Sequence, residues 1–200
     1  MIKSLAVFFG ACTLIAASSA PQINGSWPTP SKTVSSGGSF WNDSYKKSFS
    51  RQHLGSDLTA VTTDRVLSPA DGFVIFNNSQ GKKVTQGTAY LVIKDAKSGW
   101  EHVIGHVNST RPACSLTSFA KKTCSEATRV YKGQSEIGYP MPKNEFGVHV
   151  HWGVNTKSVS SAMGFFSGQE WGWGRAPAAA ELKKACSLGW VDPMNLVKCV

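Results

Sequence analysis

The chain has 200 residues, a hydrophobic content of 41% and a formal net charge of +9. A basic surface suits an anionic polymer. The lysines, however, are scattered as short pairs without a long basic tract, and no nucleic-acid-binding motif is recognisable. We therefore expect no nucleic-acid partner.

The first twenty residues have the layout of a secretory signal peptide. Lys3 gives a basic start, residues 5–15 are apolar, and Ser18-Ser19-Ala20 supplies the small residues of a cleavage site. The apolar run is too short to cross a bilayer, which takes about 20 residues. We expect residues 21–200 to be secreted or periplasmic, as one domain without a stable membrane anchor. A lipoprotein acylated at Cys12 is the alternative.

The mature chain begins with a loop-like segment and continues with strands. Residues 21–50 are rich in Ser, Gly and Pro and show little periodicity. Segments that alternate polar and apolar residues, or are rich in β-branched and aromatic residues, follow from about residue 55. Strands are predicted at 56–61, 72–76, 90–93, 100–107, 130–137 and 148–154. Residues 95–99 (Asp-Ala-Lys-Ser-Gly) predict a hairpin turn.

Only one segment is typical of a helix. Residues 177–186 begin with Pro177 and contain good helix formers, and Gly189 lies just past the end. The predicted fold is therefore mainly antiparallel β, with a short C-terminal helix.

Four cysteines remain after signal removal, and export favours disulfides between them. Of the three possible connectivities, the local bridges Cys114–Cys124 and Cys186–Cys199 are the simplest. A four-cysteine zinc site is the alternative, but the sequence has no C-x-x-C pair.

Four of the five histidines fall into patterns that could carry chemistry. His53 and Asp57 form an H-x-x-x-D pair, with His53 expected on a loop and Asp57 at the entrance to a strand. His149 and His151 are two apart in a predicted strand, so both imidazoles project from one face. An exposed histidine pair is the alternative for that strand. Both patterns suit a zinc ion, which binds imidazole nitrogen and carboxylate oxygen.

A third pattern places His102, Ile104 and His106 on one face of a strand. Three ligands of the His, Asp, His type with an open position are typical of catalytic zinc. The chain has no H-E-x-x-H segment, so the general base would be a histidine and not a glutamate.

These motifs together resemble the lysostaphin/LytM-type zinc endopeptidases, which hydrolyse peptidoglycan. That family carries an H-x-G-x-D segment, a middle histidine at a strand end and a late H-x-H segment. The matching segments here are His53-Leu-Gly-Ser-Asp57, Gly105-His106-Val107 and His149-Val-His151. Shorter segments at 68–74, 132–138 and 191–195 also resemble segments of the family, so the resemblance covers about residues 50–196.

The resemblance implies a lysostaphin-like antiparallel β-sheet or sandwich core (the duplicated hybrid motif) and a site with one zinc ion. His53, Asp57 and His151 would bind the metal, and His106 and His149 would be the catalytic histidines. Which of the two acts as base stays open. His102 has no counterpart in the family and is expected to be a surface histidine.

Several segments depart from the family pattern and concern the substrate groove. Ile104 stands where the family commonly has a tyrosine, Gly153 where a glutamate often follows, and residues 139–146 replace a Gly- and Thr-rich approach. Two insertions, the 114–124 loop and residues 158–174 with Trp171 and Trp173, also bear on the shape of the groove. The tryptophans could stack on a substrate or pack as anchors.

The function implied is hydrolysis of stem peptides or cross-bridges in bacterial peptidoglycan, by a protein expected to be a monomer. Two alternatives stay open. One is a catalytically silent module that binds cell wall or a partner. The other is a zinc peptidase that acts on soluble Gly-rich proteins.

Overall fold

The computed structural model describes residues 25–79, 89–142, 147–158, 171, 174–194 and 199. The predicted signal peptide, Trp173 and most of the 158–174 insertion lie outside the described residues. No helix within the described ranges has the length and apolar character needed to span a membrane.

Twelve strands and three α-helices occur within these ranges. The strands are β1 (Arg51–His53), β2 (Ser56–Thr59), β3 (Val66–Leu67), β4 (Gly72–Asn77), β5 (Tyr90–Asp95), β6 (Glu101–Gly105), β7 (Val107–Asn108), β8 (Arg129–Val130), β9 (Glu136–Pro140), β10 (His149–Asn155), β11 (Arg175–Pro177) and β12 (Trp190–Val191). The helices are α1 (Asp43–Phe49), α2 (Leu116–Ala120) and α3 (Leu182–Ser187), and a 3-10 helix covers Glu126–Thr128.

A seven-stranded antiparallel sheet forms the centre of the fold. Its strand order is β12-β10-β6-β5-β4-β8, and β2 pairs with β10 as well. A three-stranded sheet, β3-β9-β7, and a two-stranded sheet, β1-β11, complete the described part. The prediction of a mainly antiparallel β fold is confirmed.

The central sheet has a core cluster on each face, and successive side chains of a strand point alternately into the two clusters. Leu91, Ile104 and Trp152 lie opposite one another across β5, β6 and β10 and belong to one core cluster. Val92 and Val103 face the other way and belong to a second cluster. The second face also carries the candidate site.

The predicted turn and both disulfides are present. The Asp95 side chain accepts hydrogen bonds from the backbone N–H groups of Lys97 and Ser98, which closes the β5–β6 hairpin. Cys114 pairs with Cys124 and Cys186 with Cys199, with Cα atoms 5.5 and 5.4 Å apart. The four-cysteine zinc site is therefore wrong.

The helix predictions need correction at both ends of the domain. The C-terminal helix begins at Leu182, because Pro177 pairs with Arg51 as the end of β11. The lead-in at 21–50 is not wholly loop-like, since it contains α1. That helix begins where the Asn42 side chain accepts two backbone N–H groups, a typical N-cap. Helix α2 was likewise not predicted.

Two predicted strands are in fact divided: 100–107 into β6 and β7 at His106, and 130–137 into β8 and β9. The segment 130–137 is divided between β8 and β9 by a turn in which Tyr131 N–H bonds to the Ser135 hydroxyl and Gln134 N–H to the Tyr131 carbonyl. The two strands then join different sheets.

Candidate metal centre

Strand register places the site residues in one row across the sheet. His151 on β10 lies opposite Asp57 on β2 and opposite Gly105 on β6. Gly105 in turn lies opposite Tyr90 on β5. Paired residues of neighbouring strands share a face, so the side chains of Asp57, His151 and Tyr90 meet there. A Cβ at Gly105 would come within 3.0 Å of His151 and 2.8 Å of the Tyr90 ring.

His53, Asp57 and His151 converge on a single point of this face. His53 Nε2 is 3.0 Å from His151 Nδ1 and 3.2 Å from Asp57 Oδ1. His151 Nδ1 is 3.1 Å from the same Asp57 oxygen. His53 ends β1 instead of lying on a loop, and Asp57 is the second residue of β2. The three side chains are thus grouped as candidate ligands of one metal ion.

The protonation states of the group favour a bound cation. Burial alone would raise the pKa of Asp57, but the charge of His53 and the hydrogen bonds from His151 and His53 hold that pKa well below its usual value. Burial lowers the pKa of His151 to about 4, against a weaker opposing effect of Asp57. At neutral pH a carboxylate and an uncharged imidazole therefore face each other. A cation that replaced the proton between them would be attracted by the carboxylate.

The spacing of the three atoms fits a tetrahedral ion. At metal–ligand distances of about 2.0–2.1 Å, the edges of a tetrahedron are about 3.3 Å long. The observed separations of 3.0–3.2 Å are close to that value. The group can therefore bind a metal through three protein atoms, which leaves a fourth position for another ligand.

Contacts behind His53 fix its ring and its tautomer. Its Nδ1 lies 3.1 Å from the Ser39 carbonyl oxygen. Because a carbonyl only accepts, Nδ1 carries the proton and Nε2 keeps its lone pair toward Asp57 and His151. Tyr45 of α1 stacks on the other side of the imidazole, with ring centroids 4.1 Å apart and planes 11° apart.

His151 is held by backbone packed against the outer edge of its ring. A Cβ at Gly55 would lie 2.7 Å from its Nε2, one at Gly153 3.3 Å and one at Gly174 2.1 Å. Among the described residues Nε2 has no hydrogen-bond partner. Packing by glycine backbone therefore orients this ring, instead of a hydrogen bond to its outer nitrogen.

His106 and His149 lie beside the three candidate ligands. Their rings are 4.5 Å apart in an edge-to-face arrangement, and His149 Nε2 is 4.0 Å from Asp57 Oδ1. His149 Nδ1 lies 3.3 Å from the Gly147 carbonyl, which favours a proton on Nδ1 and a free lone pair on Nε2. The structure thus brings all five predicted site residues together.

The strand pattern predicted that His106 shares a face with His102 and Ile104, and this prediction is wrong. Strand β6 ends at Gly105, and His106 adopts a left-handed backbone with φ of +64°. Its N–H bonds to the Ala89 carbonyl. This strained conformation reverses the alternation and turns the ring toward His149, while Ile104 stays in the core. Such strain is common at functional sites.

The prediction of a surface position for His102 is wrong. His102 is only 2% exposed. Its ring stacks on that of Trp152, with the ring centroids 6.2 Å apart. The Trp152 indole N–H donates to His102 Nδ1 at 3.2 Å. Burial lowers the pKa of His102 to about 4, so this histidine is an uncharged core residue.

An open groove gives access to the row of site residues, with a cavity volume of about 480 Å³. Its lining contains Asp57, His106, His149 and His151, together with residues of the lead-in that include α1, and Thr59, Tyr90, Val148 and Arg175. Tyr45, Tyr90 and Arg175 are among the lining residues that the sequence analysis did not predict. Tyr90 is the first residue of β5, and only the strand register shows that it faces the site.

No protein-family model and no curated protein matches the sequence of this chain. Among solved structures it is similar to CbpA from L. salivarius REN, with 18% identity over 86% of this chain and 94% of that one and a TM-score of 0.49. A zinc-containing peptidase from Vibrio cholerae is 22% identical over 52% of this chain and 26% of its own, with a TM-score of 0.37. Lysostaphin from Staphylococcus simulans is 14% identical over 63% of this chain and 44% of its own, with a TM-score of 0.43.

The chain therefore spans about a quarter of the V. cholerae peptidase and less than half of lysostaphin. The structural neighbours include the family that the sequence motifs resemble.

Proposed function

We propose that the protein is an exported zinc endopeptidase that hydrolyses peptide bonds in bacterial peptidoglycan. The observation that carries the proposal is the convergence of His53 Nε2, Asp57 Oδ1 and His151 Nδ1 within 3.0–3.2 Å of one another at the wall of an open groove. Two further histidines lie beside this group.

Zinc is the metal proposed because two imidazoles and one carboxylate match its preferred donors. When bound, zinc supplies Lewis acidity and makes water at the site more acidic. One carboxylate and two uncharged imidazoles leave a net positive charge around a divalent ion. That balance is typical of a catalytic site and supports attack on a peptide carbonyl.

His149 is proposed as the general base. Its Nε2 points toward the metal-binding group while Nδ1 is engaged by the Gly147 carbonyl, so Nε2 can take a proton from water. His106 is proposed to donate a hydrogen bond to the oxygen of the scissile carbonyl as negative charge develops there. Its strained backbone holds the ring against His149 and thereby fixes this position.

Peptidoglycan as the substrate is supported by the ordered set of motifs and by the net charge of +9, which suits an anionic wall polymer. The groove lining includes Tyr45 and Phe49, whose rings are 4.5 Å apart. Aromatic rings at a groove rim can stack on peptide or sugar.

Export is proposed from two features. The sequence of the first twenty residues has the layout of a signal peptide. Two disulfides, Cys114–Cys124 and Cys186–Cys199, suit an oxidising compartment. We propose that residues 21–200 act there as one monomeric domain.

Digestion of purified peptidoglycan tests the proposal. The mature protein is incubated with intact sacculi, with and without a chelator, and the soluble products are resolved by mass. The proposal predicts chelator-sensitive release of fragments with newly cleaved peptide bonds. The masses also identify the bond.

Two results would contradict the proposal. Intact sacculi in the presence of zinc-loaded protein would favour a silent binding module, or a peptidase for soluble Gly-rich proteins if elastin-like peptides are cut instead. Cleavage that persists after complete removal of metal would contradict the metal-dependent mechanism.

A further inference from the structure

Arg175 belongs to the groove by its position in the fold. It is the first residue of β11 and lies opposite His53 of β1 in the register of the two-stranded sheet. The preceding residue, Gly174, packs against the ring of His151. The segment 174–175 thus touches two candidate metal ligands, and Arg175 lines the groove beside them.

Among the described residues of the groove, no carboxylate neutralises Arg175. Their one carboxylate, Asp57, is already engaged by His53 and His151. Arg175 is exposed, and among the described residues no carboxylate lies within 4.0 Å of its guanidinium. With a divalent ion bound, the charged groups of this wall are therefore net positive.

The guanidinium of Arg175 contacts Tyr90 next to the metal-binding group. Arg175 hydrogen-bonds to Tyr90, whose ring centroid is 5.8 Å from that of His106 and 6.3 Å from that of His151. Burial raises the pKa of Tyr90 to about 12, and Arg175 opposes this rise. Arg175 opposes the raised pKa of Tyr45 in the same way. The guanidinium is thus close to both rings that pack against the site histidines.

A guanidinium presents five N–H donors in a planar fork. One contact to Tyr90 leaves donors for a group that enters the groove. The fork matches a carboxylate, which it binds in a bidentate manner with charge-assisted hydrogen bonds.

We propose that Arg175 determines specificity by binding a free carboxylate of the substrate on a residue next to the scissile bond. The inference rests on the proposed peptidase function and names its substrate class as peptides with such a carboxylate. Stem peptides offer two sources, the α-carboxylate at the end of a chain and the carboxylate of a residue linked through its side chain. Both present the same chemistry to the guanidinium.

Matched substrates test the proposal on the mature, metal-loaded protein. The bond is first identified from the peptidoglycan digest, and the surrounding peptide is then synthesised in three forms. One form has all its carboxylates free, one has only the terminal carboxylate converted to the amide, and one has only that of the linking residue converted. The wild type should show a KM about tenfold to a hundredfold higher for one amidated form, which identifies the source.

Arg175→Gln should remove most of that difference by raising KM for the free form, and Arg175→Lys should restore part of it. Arg51→Gln is the matched control, since Arg51 is on the neighbouring strand β1 outside the groove lining. It should leave the preference intact. Calorimetry with the carboxylate-bearing product peptide should show about tenfold weaker binding to Arg175→Gln than to the wild type.

The outcomes separate the two proposals. Equal KM for all three forms in the wild type would overturn the role of Arg175 and leave the peptidase function standing. Persistence of the preference in Arg175→Gln would do the same. Failure of the wild type to cut any form, together with intact sacculi, would refute the peptidase function and with it the inference.

Discussion

Gly174 controls the position of His151, and replacing it with alanine gives a direct perturbation of the metal-binding group. An alanine Cβ at this position would lie 2.1 Å from His151 Nε2 and 2.6 Å from Cε1, where ordinary contacts begin at 3.4 Å. The ring and the 174 backbone must separate by about 1.3 Å, the difference between 3.4 and 2.1 Å. His151 Nδ1 would then move relative to His53 and Asp57.

The substitution has two effects of different kind. The backbone of Gly174 has φ of +74°, which costs an alanine about 1 kcal/mol. The clash with His151 adds a displacement of a candidate ligand. Changes to groups that orient ligands weaken metal binding by about tenfold to a hundredfold. We therefore expect Gly174→Ala to lower zinc affinity by at least tenfold.

Gly99→Ala is the control that separates the effect of backbone strain from that of the steric clash with His151. Gly99 has φ of +72°, nearly the same as Gly174, but a Cβ there meets nothing within 4 Å. The free energy of unfolding, measured in urea, should fall by about 1 kcal/mol in Gly99→Ala and by more in Gly174→Ala. Zinc affinity, measured by competition with a chromophoric chelator, should change only in Gly174→Ala.

Equal zinc affinity in the two variants and the wild type would refute this reasoning. It would mean that His151 does not bind the metal, or that the ring moves freely without consequence. A loss of affinity in Gly99→Ala as large as that in Gly174→Ala would refute it as well, because backbone strain alone would then be responsible.

Three further predictions follow from the described contacts. His151→Ala should lose zinc, whereas His149→Ala should keep zinc and lose about 100-fold to 10,000-fold in turnover; equal zinc loss measured by mass spectrometry would contradict the assigned roles. Because burial lowers the folded-state pKa of His102 to about 4, the unfolded state binds a proton first as pH falls below 6.5. The free energy of unfolding should fall by up to about 3 kcal/mol between pH 6.5 and 4. His102→Gln should reduce that fall in urea titrations, and an unchanged pH profile in this variant would contradict the prediction. Replacing Cys186 and Cys199 by serine opens a bridge with a sequence separation of 13 and should cost about 3 kcal/mol; an unchanged urea midpoint would show that the bridge constrains little.

The parts of the fold that sequence predicted are those with a strong local pattern. The β5–β6 hairpin follows from β-rich runs on both sides of Asp95, whose side chain closes the turn. The H-x-H strand follows from alternation, since Val150 and Trp152 are fully buried opposite the two histidines. Both disulfides follow from proximity in the sequence.

The missed elements depend on contacts that no local pattern contains. Helix α1 has only seven residues, and its caps and the stacking of Tyr45 on His53 position it. Pro177 suits a helix start, but pairing with Arg51 places it in a strand. The reversed face of His106 arises from a positive φ that periodicity does not reveal. Arg175 and Tyr90 became visible only when the register brought them to the groove.

Titration of metal-free protein with zinc tests the central claim most directly. Chelator-stripped mature protein is given increasing amounts of zinc while peptide release from purified peptidoglycan is followed. With His53, Asp57 and His151 binding one catalytic ion, activity should be absent at first, rise linearly and level off at one equivalent. Full activity before zinc is added, or recovery with iron(II) but not with zinc, would contradict the account.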